Sequence, residues 1–289
     1  MSKGHCPYAE AGYGYPESGQ TVVNVTNGKL IRLLVDDEPF DVRYGELRSQ
    51  ERVLDLRAGI LTRRAKWVSP AGRRVRVRST RLVSFAQRAV AAIEYVVEAV
   101  DDPARFIVSS ELVTNEALPA QFGDPRVAEL LERPLIALEH DVSERGATLL
   151  HCTGASRLQM VGGMDHLVEA PGRVDVQTLA SEHWARMTVV CTLKPGQQLR
   201  VVKLLAYSWS SMRSRPALRH QVAAALTGAR YSGFEGCCTR SATTSTRSGT
   251  PPMLRSTVTR RCSRRCASGC STCCKRARAP SAVRSRRRV

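Results

Sequence analysis

Between Gly19 and Phe85, short apolar runs alternate with turn residues, the pattern of an antiparallel sheet. Val22, Val23 and Val25 lead into Asn27-Gly28, and Leu30, Ile31, Leu33, Leu34 and Val35 follow. Asn-Gly between apolar runs predicts a hairpin there, because both central residues of a type I′ turn need positive φ. Further on, Val75, Val77, Val83 and Phe85 fall on one face of a period-two pattern, with Arg74, Arg76 and Arg78 on the other. Ser69-Pro70-Ala71-Gly72 supplies the turn before them.

The pattern continues beyond this stretch. Ala89 to Val100 fits helix or strand by length, and its β-branched residues favour a strand. Arg105–Val113 predicts another strand. Asp124-Pro125 offers a cap followed by a first-turn proline, so a short helix is expected over Arg126–Arg133. Leu135–Val142 and Ala147–Cys152 flank the loop Ser143–Gly146, and Met187–Leu193 and Leu199–Ala206 flank Lys194-Pro195-Gly196-Gln197. Ser214 can cap a helix from Pro216, with Leu218, Val222 and Leu226 at i, i+4, i+8, and Gly228 or Gly233 would end it.

The segments GQTVVNVTNGKLIRL (19–33), VLDLRAGILTRRAKWVSPAGRRVRVRSTRLVS (53–84) and KLLAYSWSS (203–211) carry a family resemblance. Over about residues 6–236 the chain resembles the N-terminal domain of glycoside hydrolase family 65. That family includes inverting phosphorylases of maltose, trehalose and kojibiose together with some hydrolases. The resemblance implies a mainly β fold, an antiparallel super-β-sandwich with a short helical linker. It also supports the strand over Ala89–Val100. It matches GHCPYAEAGYGYPESGQ to an internal loop, so earlier strands of the domain are expected to be missing. The expected organisation is an irregular lead-in at 1–18, the sandwich at 19–212, a linker helix at 213–236 and a disordered basic tail at 237–289.

Charge and cysteine separate that tail from the body. Of the formal net charge of +18, the segment from Cys237 carries +14, with thirteen Arg, one Lys and no acid. Basicity therefore belongs to the tail and not to the protein. Seven of the ten cysteines lie there too, leaving Cys6, Cys152 and Cys191 in the body, a sparse usage that suits a reducing compartment. The N-terminus shows no apolar signal region and no run is long enough to span a bilayer, so a cytoplasmic body with no membrane partner is expected. The tail is Arg, Ser, Thr, Ala and Cys with few large apolar residues, too few to offset chain entropy.

Those residue types are what GC-rich DNA yields out of frame. Back-translating 237–289 with GC-rich codons and shifting one base gives amphipathic text such as LLHAERDYLDAFWDAADVEVDGD, which resembles the linker and the start of the barrel in the same family. A frameshift at the tail is therefore expected, and with it a truncated protein.

Candidate chemistry is sparse. Inverting glycoside cleavage needs a carboxylic acid at the leaving oxygen, with either a basic carboxylate activating water or a phosphate as nucleophile. The resemblance implies that acid is a Glu of a helical barrel that this chain does not contain in frame. No catalytic, cofactor or metal residue is assigned. Inorganic phosphate would be the co-substrate of the intact relative if it is a phosphorylase, an α-linked disaccharide its substrate, and a homodimer its assembly. Glu111, Glu116 and Glu132 are expected to be surface carboxylates. Asp36-Asp37-Glu38 with Asp41 lacks the calcium-loop pattern and reads as a solvated loop.

Met164-Asp165-His166 with Ser181 and His183 offers triad residue types without a nucleophile elbow, so both histidines are expected at strand edges. Gly12-Tyr13-Gly14 lacks the rest of a dinucleotide fingerprint. Cys262, Cys266, Cys270 and Cys273 lack zinc-ribbon spacing, and Arg260-Arg261, Arg264-Arg265 and Arg286–Arg288 would bind polyanions without specificity. Arg74, Arg76 and Arg78 are expected to be a solvated sheet face, and Tyr207 and Trp209 to pack. Asn24-Val25-Thr26 is a glycosylation acceptor expected inside a strand. Two alternatives stay open: a non-catalytic carbohydrate-binding sandwich, which needs an exposed aromatic platform, and a nucleic-acid-binding protein, whose affinity would reside in the tail.

Overall fold

The structure, a computed structural model, describes residues 2–7, 18–21, 23–41, 43–56, 58–116, 133–247 and 256–260. Strands β1 (Ser2–Pro7) and β2 (Ser18–Thr21) come first, then β3 (Asn27–Val35), β4 (Glu38–Pro39), β5 (Glu46–Asp55), β6 (Ile60–Val68), β7 (Arg74–Val83) and β8 (Val90–Ala99). Next are β9 (Ala104–Val113), β10 (Leu135–Val142), β11 (Ala147–Thr153), β12 (Gln159–Glu169), β13 (Val174–Ala180), β14 (Trp184–Leu193) and β15 (Gln198–Ser210). A helix, α1 (Arg215–Arg247), and a short strand, β16 (Ser256–Arg260), complete the described chain.

Fourteen of these strands form two antiparallel sheets. The larger runs β10-β11-β12-β15-β8-β7-β6-β5-β16, and the smaller runs β13-β14-β9-β3-β4. Face to face, the two sheets bury one core that includes Trp67, Val97, Phe106, Val108, Met187 and Val201. The opposite face of the larger sheet is covered by α1, where Leu218, Val222 and Leu226 pack on Leu82, Val161, Val202 and Leu204.

Strand β15 shows why its sequence is nearly all apolar. Val201 and Leu205 enter the sandwich core, while Val202 and Leu204 enter the layer under the helix. A strand buried on both faces loses the usual alternation.

Strands were expected at Ala89–Val100, Arg105–Val113 and the two hairpins after residue 134, and β8, β9, β10–β11 and β14–β15 stand there. The hairpin expected at Asn27-Gly28 is not formed. Both residues lie inside β3, and the register against β9 slips between Asn27 and Leu30. Gly28 serves close approach instead: a β-carbon there would lie 2.6 Å from Tyr207 Oη and 2.7 Å from Leu205. The tight turn comes eight residues later. Asp36 and Asp37 take φ of 47° and 70°, and join β3 to β4 through the pair Val35–Glu38.

The lead-in expected to be irregular holds the β1–β2 hairpin, with residues 8–17 outside the described set. In β7, Val75 and Val77 face the core as expected, but Val83 is 63% exposed and Phe85 43% exposed. Toward that end the buried residue is Leu82, on the opposite face, because α1 covers that side.

The helix passes Gly228 and breaks at Gly233 (φ 66°, ψ 176°), but it resumes and continues to Arg247. The expected disorder from Cys237 therefore does not hold for 237–247. Phe234 and Cys237 are buried in the helix-side core, and buried Ser241 accepts a hydrogen bond from the Phe85 amide. This last part lacks an apolar period, and three of its hydroxyls bond within the helix. Thr239, Thr243 and Thr244 each donate to the carbonyl four residues earlier. The rest of the tail, β16 excepted, and residues 126–132 of the helix expected at Arg126–Arg133 lie outside the described residues, while Arg133, at φ 47°, is not helical.

Candidate functional site

The sandwich interior holds a polar group that the sequence pattern did not single out. Lys203 points from β15 between the sheets and is fully buried. Its Nζ donates to the Glu111 carbonyl at 2.7 Å and to the Leu30 carbonyl at 3.3 Å, tying the large sheet to the small one. Burial holds its pKa down at about 7, against the opposing pull of Glu111.

On the neighbouring strand, His166 is also fully buried, not at a strand edge. Its Nδ1 lies 2.7 Å from the Arg145 carbonyl and its Nε2 2.8 Å from Ser110 Oγ. A carbonyl can only accept, so Nδ1 carries the proton and Nε2 accepts from the Ser110 hydroxyl. Burial lowers the His166 pKa to about 3, so the imidazole is neutral. Serine beside a neutral imidazole is a nucleophile–base geometry, but both groups are sealed from solvent. The pair is a core hydrogen bond.

Glu111 corrects a second expectation. It is 4% exposed, and Arg32 and Arg186 donate to its two carboxylate oxygens at 3.2 and 2.9 Å on the outer face of the small sheet. Arg186 in turn stacks over Trp184. With both oxygens already accepting, Glu111 is the centre of an ion-pair cluster. Glu116 is exposed and accepts from Asn27, and Glu132 lies outside the described residues.

The other candidates are dispersed. Asp36 is held by Arg73 at 2.9 Å and by the Arg105 amide at 2.8 Å, and Asp41 by Arg43. Among the described residues no group of three His, Cys, Asp or Glu converges as a metal site. Asp165 pairs with Arg230, and His183 stacks on buried His151 at 5.5 Å, away from Asp165 and His166 in the hydrogen-bond pattern. Arg74, Arg76 and Arg78 pair with Asp101, Glu98 and Glu94 on the outer face of the large sheet, as a solvated face should.

Thr26, of the glycosylation triplet, is buried in a loop and bonded to Thr114. Tyr207 packs, donating to the Thr26 carbonyl. Trp209 does not pack: it is 65% exposed at the end of β15. Gly12-Tyr13-Gly14 and the tail cysteines from Cys262 onward lie outside the described residues.

Taken together, these residues define a two-sheet antiparallel sandwich in which Lys203, His166 and Ser110 are sealed and whose large sheet is backed by a helix. Residues 3–245 match the model of the glycosyl hydrolase family 65 N-terminal domain. The chain belongs to that family. It is 67% identical over 230 residues to an uncharacterized glycosyl hydrolase of Mycobacterium tuberculosis, covering 80% of this chain and 29% of that protein. It is 28% identical to an alpha,alpha-trehalose phosphorylase of Thermoanaerobacter brockii over 69% of this chain and 26% of the other. In fold it is similar to a protein assigned as a kojibiose phosphorylase from the human microbiome. The TM-score is 0.67 at 14% identity, over 78% of this chain and 28% of that one. The chain thus spans less than a third of the length of each of these proteins.

Proposed function

We propose that this chain is the N-terminal sandwich, with the head of a helical linker, of an enzyme that cleaves an α-linked disaccharide such as trehalose, maltose or kojibiose. The reaction is inverting phosphorolysis or hydrolysis: a carboxylic acid protonates the leaving oxygen, and phosphate or activated water attacks the anomeric carbon from the opposite face. The observation that carries this reading is the match of residues 3–245 to the N-terminal domain of the family. The sealed Ser110–His166 pair and the saturated Glu111 fit a supporting domain better than a reaction centre. In this reading the acid and the phosphate or water site belong to a helical barrel supplied by the intact relative, a cytoplasmic homodimer.

We further propose that the coding sequence changes frame at or shortly after Gly236. The concentration of +14 and of seven cysteines in 237–289 supports it. The test is the nucleotide sequence for about 2 kilobases past the Gly236 codon, enough to encode the rest of a relative of which the 230 matched residues are 29%. A one-base shift should open a long frame encoding helices and a Glu-bearing loop. Early stops in that frame would make the tail the protein's own and overturn the truncation. The carbohydrate-binding alternative has one specific support, the exposure of Trp209; a Trp209→Ala chain that still binds an immobilised α-glucan as the parent does would remove it.

A further inference from the structure

At the open end of the sandwich, three arginines stand on the inner face of the large sheet with no acid paired to them among the described residues. Arg52 on β5 and Arg63 on β6 are direct cross-strand partners. Ser79 stands opposite Arg63, and Tyr95 opposite Ser79, so the four form one row on the inner face of the large sheet. Arg81 lies two residues further along β7, on the same face. Together with Phe40 and four aliphatic side chains they wall a cavity of about 290 Å³, half of its lining apolar and none of it carboxylate.

On the opposite face of the same strands the pattern is different. There Arg64, Arg76 and Arg78 each find a glutamate. Like charges directly opposed across a ladder repel, and a sealed guanidinium N–H without a partner is costly. Arg63 has both problems. Its Nε is closed off from solvent with no hydrogen-bond partner among the described residues. Burial, then Arg52 and Arg81, pull its pKa down.

We propose that this cavity binds a small phosphate-class oxyanion. Guanidinium forks match tetrahedral oxyanions in two-point contacts, and the Ser79 and Tyr95 hydroxyls can donate to the remaining oxygens. The volume is close to the lower bound of small-molecule sites, enough for inorganic phosphate or the phosphoryl end of a hexose phosphate. The proposal does not rest on the family reading.

The test is calorimetric and thermal-shift titration of the full 289-residue chain with inorganic phosphate and with glucose 6-phosphate. Glucose and chloride at matched ionic strength serve as controls. The expected result is a saturable heat and a rise in Tm with phosphate, weakened roughly tenfold or more in Arg63→Gln, the loss of one charge-assisted contact. Arg52→Gln is a second variant should Arg63→Gln misfold, and circular dichroism checks both. Tighter binding of glucose 6-phosphate identifies a sugar phosphate, and equal binding identifies phosphate itself. A rise that follows ionic strength alone, or one that survives in both folded variants because the Arg-rich tail causes it, overturns the site.

Discussion

Replacing Lys203 with Met should make the protein more stable at pH 6 and less dependent on pH above it. The lysine is fully buried, and its pKa is held at about 7 against an ordinary 10.5. At about 1.4 kcal/mol per pKa unit, holding the ammonium inside costs about 5 kcal/mol while the group is charged in both states. Methionine removes that cost but leaves the Glu111 and Leu30 carbonyls without their Nζ donor, which gives back about 1–3 kcal/mol.

The net expectation at pH 6 is a variant more stable by about 2–4 kcal/mol. From pH 7 to 10.5 the unfolded lysine still binds a proton that the folded one has released, so wild-type stability rises with pH across that window. The variant lacks this rise, and the two curves should converge and then cross toward pH 10.5. Urea midpoints measured at half-unit steps from pH 6 to 10 read the difference directly. A variant that is less stable at pH 6, or a difference that is constant with pH, would refute the buried, depressed lysine.

His166 behaves as the acid-side counterpart: its folded pKa of about 3 lies below the ordinary 6.5. Stability should therefore fall as pH drops from 6.5 toward 3, and His166→Gln should flatten that part of a Tm–pH curve. Gly28→Ala puts a β-carbon 2.6 Å from Tyr207 Oη. It should cost about 1–3 kcal/mol by urea denaturation, with the loss reduced in a Tyr207→Phe background. Trp67 is 1% exposed and packs edge-to-face on Phe40 at 5.3 Å. Trp67→Ala should cost about 3–5 kcal/mol, whereas Trp209→Ala at the exposed end of β15 should stay within about 0.5 kcal/mol.

Strand positions were legible in the sequence wherever alternation or a two-face apolar run was imposed by both layers. Strands β8, β9, β14 and β15 are such cases. Asn27-Gly28 misled because one dipeptide serves two purposes. Glycine at 28 answers a close approach from Tyr207, a residue 179 positions away, while Asp36-Asp37 makes the turn without any glycine. The face taken by Val83 and Phe85 could not be read either, since it depends on a helix starting at Arg215. Glu111 looked like an ordinary surface acid because its two arginines come from strands 79 and 75 residues distant. Lys203 did leave a local sign: a single charge in the apolar run Val201–Ala206 is a buried lysine in waiting. The inward Arg52–Arg63–Arg81 group left none, because each alternates with a polar neighbour on the other face.

The central claim is that this chain supports a disaccharide-cleaving enzyme without performing the chemistry itself. The direct measurement is release of glucose or glucose phosphate from trehalose, maltose and kojibiose, with and without phosphate. It should be made on the 289-residue chain beside a chain continued in the shifted frame after Gly236. The account predicts turnover by the continued chain and none by the 289-residue one. Turnover by the 289-residue chain alone would contradict it.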